Sequence, residues 1–170
     1  SSDLAGVADD LYDIRASLRL LVQSCAALFV VLASNLVITD VGLPWSLGVL
    51  TVPFTVVFIL TVVNAFNFID GVDGLAGGLA LVATSTMAAA SGDTSLFEVM
   101  RIVTSVLVGY LLFNLPLGFN GRLRAFMGDT GSTLLGFTIA IALIDVTQPA
   151  GDRPGMSPVV GVWLVAVPVF

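Results

Sequence analysis

The chain has 170 residues, 57% of them hydrophobic and only 11% charged, with a mean hydropathy of +1.05. A soluble domain carries about 25% charged residues, so the composition excludes a water-soluble globule and marks a polytopic membrane protein. The net charge of −6 comes from 12 acids against six Arg, with no Lys and no His, which argues against nucleic acid as a partner.

An acidic run opens the chain, Asp9-Asp10-Leu11-Tyr12-Asp13. Six apolar segments follow, at about 18–38, 47–66, 75–91, 97–117, 131–147 and 157–170. Each complete segment is long enough to cross a hydrocarbon core of ~30 Å as a helix. Helices satisfy every backbone group internally, as a bilayer requires. The expected fold is therefore all-α, with about six transmembrane helices. The links carry turn residues, as in Asp40-Val41-Gly42-Leu43-Pro44 and Ser91-Gly92-Asp93-Thr94. No repeat or low-complexity tract interrupts them, so residues 1–170 read as a single integral-membrane domain. The first residue is not Met, and Val167-Pro168-Val169-Phe170 lies inside an apolar run. The chain thus reads as an internal piece of a larger protein.

Counting crossings puts the loops at 1–17, 67–74 and 118–130 on one face. Arg15, Arg19, Arg122 and Arg124 fall there, against Arg153 alone in the opposite loops. The positive-inside rule assigns that face to the cytoplasm. Arg101 is expected to pair with Glu98 one turn earlier or to snorkel. Cys25 reads as a buried small apolar residue, and Asn35, Asp145, Trp45 and Trp163 as helix-end polar groups and interfacial aromatics.

Seven Asp gather on the first face: Asp3, Asp9, Asp10, Asp13, Asp70, Asp73 and Asp129. Acids at membrane boundaries are costly and usually functional. Such a cluster repels itself unless a cation is present, and Asp and Asn oxygens suit Mg²⁺ or Mn²⁺ rather than Zn²⁺. Each motif has a plainer reading beside the chemical one. Asp9 and Asp10 are a metal-type acid pair or a solvated helix start. Asn64, Asn67, Asp70 and Asp73 recur every third position, along one helix face. They line a site, or they cap the helix exit with Gly71 and Gly74 as turn residues. Phe126-Met127-Gly128-Asp129-Thr130-Gly131-Ser132 is a loop-to-helix junction with the next helix opening near Ser132. Its free N–H groups suit a phosphate, or Asp129 or Ser132 is a plain N-cap. Arg122 and Arg124 are topology anchors or pyrophosphate ligands.

Taken together, Asp9-Asp10, Asn64-x-x-Asn67-x-x-Asp70-Gly71-x-Asp73-Gly74-Leu75 and Phe126-Met127-Gly128-Asp129-x-Gly131-Ser132 resemble the polyprenyl-phosphate N-acetylhexosamine-1-phosphate transferase family. The likeness runs along essentially the whole chain. It implies transfer of a sugar-1-phosphate from a UDP-N-acetylhexosamine to undecaprenyl phosphate, with release of UMP, in the bacterial inner membrane with the site facing the cytoplasm. It implies Mg²⁺, with Mn²⁺ as a substitute, held by Asp129 and Asn67. Asp9 and Asp10 then stand near the lipid phosphate, one of them as base, and with Asp129 form the catalytic set. Asp70 and Asp73 line the nucleotide-sugar pocket, Phe126 stacks on uracil, Asn114 faces the same pocket, and Arg122 and Arg124 meet the pyrophosphate. The lipid bilayer is the surrounding partner, and a homodimer stays open. The family's His-rich loop has no counterpart in these residues, and the 170-residue piece alone is expected to be inactive.

Three other readings compete. Muramoyl-pentapeptide transferases are close relatives, but the Asn64-Ala65-Phe66-Asn67-Phe68 wording favours the acetylhexosamine branch. CDP-alcohol phosphotransferases share Asp70-x-x-Asp73-Gly74, yet Gly77-Gly78 stand where they carry Ala-Arg. A cation-pathway transporter would place acids near mid-membrane, whereas these lie at segment ends.

Overall fold

The computed structural model describes residues 16–42, 47–91, 95–115, 125–148 and 156–166. Within them lie six α-helices: α1 (Ala16–Ser34), α2 (Thr51–Ile69), α3 (Leu75–Ser91), α4 (Ser95–Asn114), α5 (Gly128–Thr147) and α6 (Pro158–Leu164). A 3-10 turn, Gly48–Leu50, leads into α2.

All six expected segments contain a helix, but they are not six spans. Among the described residues four helical stretches are long and apolar enough to cross a membrane: Ser17–Ser34, Gly48–Ile69, Ser95–Asn114 and Gly128–Thr147. Helix α3 is apolar but has 17 residues, and α6 has seven. An all-α, polytopic helical membrane protein stands, with four such spans in place of six. The first segment also stops earlier than its hydropathy suggests. Asn35 takes a left-handed conformation at φ 53, which ends α1 at Ser34 although Leu36, Val37 and Ile38 continue the apolar run.

Helix α2 is the centre of the bundle, with α5 along one side and α1 along another; α3 pairs with α4 and also touches α5. Lipid supplies no hydrophobic drive between helices, so close backbone approach must. Gly136 of α5 provides it, because a Cβ there would stand 2.9 Å from Val63 Cα and 3.2 Å from Phe66 Cβ. Gly77 does the same for α3 against Tyr110 and Leu111 of α4. Polar pairs add to the packing. The Thr104 hydroxyl bonds to the Thr84 hydroxyl at 3.0 Å between α4 and α3, and Asn64 donates to Gln23 Oε1 at 3.1 Å between α2 and α1.

The outward faces are apolar. Phe29 and Leu32 on α1 and Ile102 and Val106 on α4 are all exposed, as expected of surfaces meant for lipid. Cys25 shares the α1 face with Phe29 and Leu32 and is exposed rather than buried. Arg101 does pair with Glu98, at 3.3 Å, and its guanidinium lies over the Phe97 ring.

The two ends of the bundle differ. At one, Gln148 Oε1 accepts from the backbone N–H groups of Thr39 and Asp40 and from the Thr39 hydroxyl, and Gln148 Nε2 donates to the Asp40 carbonyl. That one amide ties the segment after α1 to the end of α5. The other end collects the C-termini of α2 and α4 and the N-termini of α1, α3 and α5, and there Asp70, Asp73 and Asp129 lie.

Candidate active site at one end of the bundle

The i, i+3 series at the end of α2 works as a face, and its slow drift sends each residue to a different neighbour. Asn64 turns to α1 through Gln23. One turn on, Asn67 Nδ2 donates to the Ser132 hydroxyl at 3.0 Å and to the Asp129 carbonyl at 3.3 Å, both on α5. Asp70, just past the last helical residue, lies beside the Gly128 backbone N–H.

That last contact explains where α5 begins. The helix starts at Gly128, and Met127 before it offers no side-chain cap. Neither Asp129 nor Ser132 is the N-cap. Asp129 lies in the first helical turn, and Ser132 is a turn deeper with its hydroxyl bonded back to the Gly128 carbonyl at 3.1 Å. The Asp70 carboxylate, supplied by another helix, stands where a local cap would. Gly128 itself sits at φ +67, a conformation that glycine adopts freely.

Asn114, the last residue of α4, is buried and spends its amide on backbone. Its Oδ1 accepts from the Gly74 N–H, and its Nδ2 donates to the Ala125 carbonyl at 2.8 Å. The Ala125 N–H in turn donates to the Phe113 carbonyl. One side chain thus fastens the turn after α2 and the segment before α5 to the same helix end. Gly74, at φ +76 with Leu115 against it, has room for no side chain.

Around this scaffold the polar groups converge. Arg19 Nη2 meets Asp129 Oδ2 at 2.8 Å. Asp73 is exposed in the turn before α3, and Phe126 is 74% exposed in the segment before α5. Tyr110 of α4 lies against the Met127 backbone and close enough to Asp70 and Asp73 to feel both charges. Burial pushes the Asp70 carboxyl above the ordinary value of 3.8; the Gly128 N–H acts against this and the Asp129 charge adds to it.

Of the residues picked from the sequence, Asn67, Asp70, Asp73, Asn114, Phe126 and Asp129 come to this one end. Asp9, Asp10, Arg122 and Arg124 lie outside the described residues. Sequence reasoning missed two residues. From the sequence Arg19 reads only as a topology charge, although a cation in the first turn of an apolar helix is a signal. Tyr110 gave none, being one aromatic in an apolar run. Among the described residues no three acids gather as a metal-holding group. The oxygen groups that lie at this end, the Asp70 and Asp129 carboxylates and the Asn67 amide, are hard donors of the type that Mg²⁺ and Mn²⁺ take.

Comparison with known proteins gives the same direction. The Glycosyl transferase family 4 pattern matches residues 3–147. The undecaprenyl-phosphate alpha-N-acetylglucosaminyl 1-phosphate transferase of Yersinia pestis is 34% identical over 173 residues, 97% of this chain and 47% of the relative. That of Escherichia coli O157:H7 is 33% identical over 97% of this chain and 46% of the relative. A probable undecaprenyl-phosphate N-acetylglucosaminyl 1-phosphate transferase of Bacillus subtilis is 32% identical, with the same coverage. The chain therefore spans about half the length of the curated relatives it matches. No solved structure matches it. With a pattern matched over most of its length and motifs that meet at one end of the bundle, the chain belongs to glycosyl transferase family 4.

Proposed function

We propose that the protein of which this chain is part transfers N-acetylglucosamine-1-phosphate, or a related sugar-1-phosphate, from a UDP-sugar to undecaprenyl phosphate, releasing UMP and starting assembly of a cell-envelope polysaccharide. The observation that carries this reading is the convergence of Asn67, Asp70 and Asp129, from two helices, on one end of an apolar bundle. A lipid phosphate and a water-soluble nucleotide sugar can meet only at such a boundary. The relatives' names supply the substrate class. The Arg distribution supports a cytoplasmic orientation for this end.

The transfer joins a lipid-phosphate oxygen to the phosphorus that carries the sugar, and the bond from that phosphorus to UMP breaks. Positioning and charge neutralisation supply most of the acceleration in such transfers. Asp129 and Asn67 would hold Mg²⁺, which supplies charge neutralisation on the transferring phosphoryl oxygens when bound. Asn67 can offer its amide oxygen, because its Nδ2 is the atom spent on α5. Asp70 and Asp73 line the nucleotide-sugar side, with Phe126 free to stack on the base. Asp9 and Asp10 serve the lipid phosphate, one as base, and Arg122 and Arg124 the pyrophosphate.

The test is a panel of UDP-sugars offered to the full-length protein with undecaprenyl phosphate and Mg²⁺. UMP release and label transfer to the lipid, strongest with UDP-N-acetylglucosamine, are expected. No UMP from any UDP-N-acetylhexosamine, with protein that is folded and monodisperse, would refute the reading.

A further inference from the structure

The last turn of α4 and the segment before α5 are joined residue by residue. The Phe113 carbonyl accepts from the Ala125 N–H at 3.3 Å, and Asn114 Nδ2 donates to the Ala125 carbonyl at 2.8 Å. One turn back on α4, the Tyr110 hydroxyl meets the Met127 backbone N–H. That N–H precedes the first residue of α5, so no helical carbonyl is there to take it. The Met127 side chain lies over Gly131, where an added Cβ would stand 2.7 Å from Met127 Cγ. Both neighbours of Phe126 are therefore anchored, while its own ring is 74% exposed.

Helix α3 fixes the Tyr110 ring. A Cβ on Gly77 would come within 2.9 Å of Tyr110 Cε1 and 3.1 Å of its Cδ1, so the bare glycine is the seat of the ring. With the ring seated, the polar tip of the side chain is held at the Met127 N–H, as a tyrosine with an apolar body and a hydrogen-bonding end requires. Phenylalanine would fill the same seat, and only the link to Met127 would go. The link matters for Phe126 because an exposed ring on a loose segment must be ordered before a flat ligand can stack on it. A ring whose neighbours are already fixed loses less freedom, and the saved ordering cost appears as tighter binding.

The geometry points to Tyr110 as a positioning residue for the donor: through the Met127 N–H it holds Phe126 out as a ready-made platform for the nucleobase. This rests on the transferase reading, in which the donor is a UDP-sugar. Tyr110 acts through Phe126 and not by touching the substrate, which gives an apolar-run aromatic a role in donor affinity.

The experiment uses the full-length protein, steady-state kinetics and titration calorimetry with UMP. Tyr110→Phe should melt close to the wild type, because Met127 is only half-buried and water can take its N–H. Its UDP-N-acetylglucosamine KM and its Kd for UMP should each rise about five- to tenfold, with kcat and the undecaprenyl phosphate KM within about twofold of the wild type. In a Phe126→Ala background, itself weakened for UMP, the same substitution should change the Kd by less than about twofold, since the platform is already gone. An unchanged Kd for UMP in Tyr110→Phe, or a loss confined to kcat, would overturn the proposal. An equal loss in the Phe126→Ala background would overturn it too, by making Tyr110 a direct ligand. Weaker UMP binding by Tyr110→Phe, in a protein whose wild type transfers no sugar-phosphate, would sink the transferase reading and keep Tyr110 as the support of Phe126. Transfer by the wild type with unchanged UMP binding in the variant would do the reverse, and a wild type that binds no UMP would sink both.

Discussion

Asn114 and Gly74 are joined across the site end of the bundle, the buried amide oxygen accepting from the glycine N–H, while the same amide donates to the Ala125 carbonyl. The three-residue link holds the Asp70–Asp73 turn and the Phe126–Asp129 segment in one register. Asn114→Ala leaves two part-buried backbone groups without this partner, at up to about 1–3 kcal/mol each. Asn114→Asp keeps the acceptor for Gly74 but sets a carboxylate oxygen against the Ala125 carbonyl. Both variants are expected to melt earlier and to lose turnover together. Thermal unfolding in detergent checks this: an unchanged melting temperature with a raised UDP-sugar KM would make Asn114 a substrate ligand, as its family resemblance implies, rather than a fastener.

Gly136 sets how closely α2 and α5 approach, since a Cβ there meets the Val63 backbone at 2.9 Å. Backbone cannot swing aside as a flexible side chain can. Gly136→Ala should cost about 1–3 kcal/mol, and Gly136→Leu more, as overpacked cores do. Asn67 and Asp129 lie on these two helices at the site end, so lost activity should accompany the lost stability. Gly78, with no atom near its Cβ position, is the control: Gly78→Ala should leave the melting temperature unchanged or slightly raised.

What the sequence made legible follows from periodicity. Asn64, Asn67 and Asp70 recur at helical spacing at the end of an apolar run, and the structure uses all three toward neighbours. The helices were legible as apolar runs, although hydropathy alone overran the end of α1, where the backbone of Asn35 breaks the helix. Contacts made over long sequence separations were not legible. Arg19 and Asp129 are 110 residues apart, and nothing in either segment names the other. The start of α5 was misplaced for the same reason, because the acid beside the Gly128 N–H comes from the end of α2. Asn114 was legible only through the family resemblance, because its partners here, the Gly74 N–H and the Ala125 carbonyl, are backbone groups that carry no sequence signature.

Asp70 gives a pH signature. Its carboxyl is pushed above 3.8 in the folded protein, by burial first, so the folded state favours its protonated form. The stability this contributes is fully present below the ordinary carboxylate value and is lost as pH rises through the raised one. Asp70→Asn is neutral throughout and keeps an oxygen toward the Gly128 N–H. The variant should therefore gain on the wild type as pH rises from about 4 toward neutrality. Melting curves across that range, read as the difference between the two proteins, check it. A difference that stays flat or falls with rising pH contradicts the assignment. UMP release by Asp70→Asn should drop at every pH if the carboxylate lines the nucleotide-sugar pocket.

Asp129→Asn separates chemistry from folding more cleanly than any other change at this site. The carboxylate is 68% exposed and its partner Arg19 is 44% exposed, so losing the pair should shift stability by no more than about 1 kcal/mol. The Asp129 carbonyl, which accepts from Asn67, is backbone and survives the substitution, so the α2–α5 link stays intact. If Asp129 holds the divalent ion, turnover should fall on the order of a hundredfold or more, and Mn²⁺ binding followed by electron paramagnetic resonance should weaken alongside it. Excess Mg²⁺ should recover little, because an amide oxygen lacks the charge that makes the carboxylate a strong ligand for a hard cation. Near-normal turnover at saturating Mg²⁺, in a variant that melts like the wild type, would move the metal away from α5 and leave Asp129 as the counter-ion of Arg19.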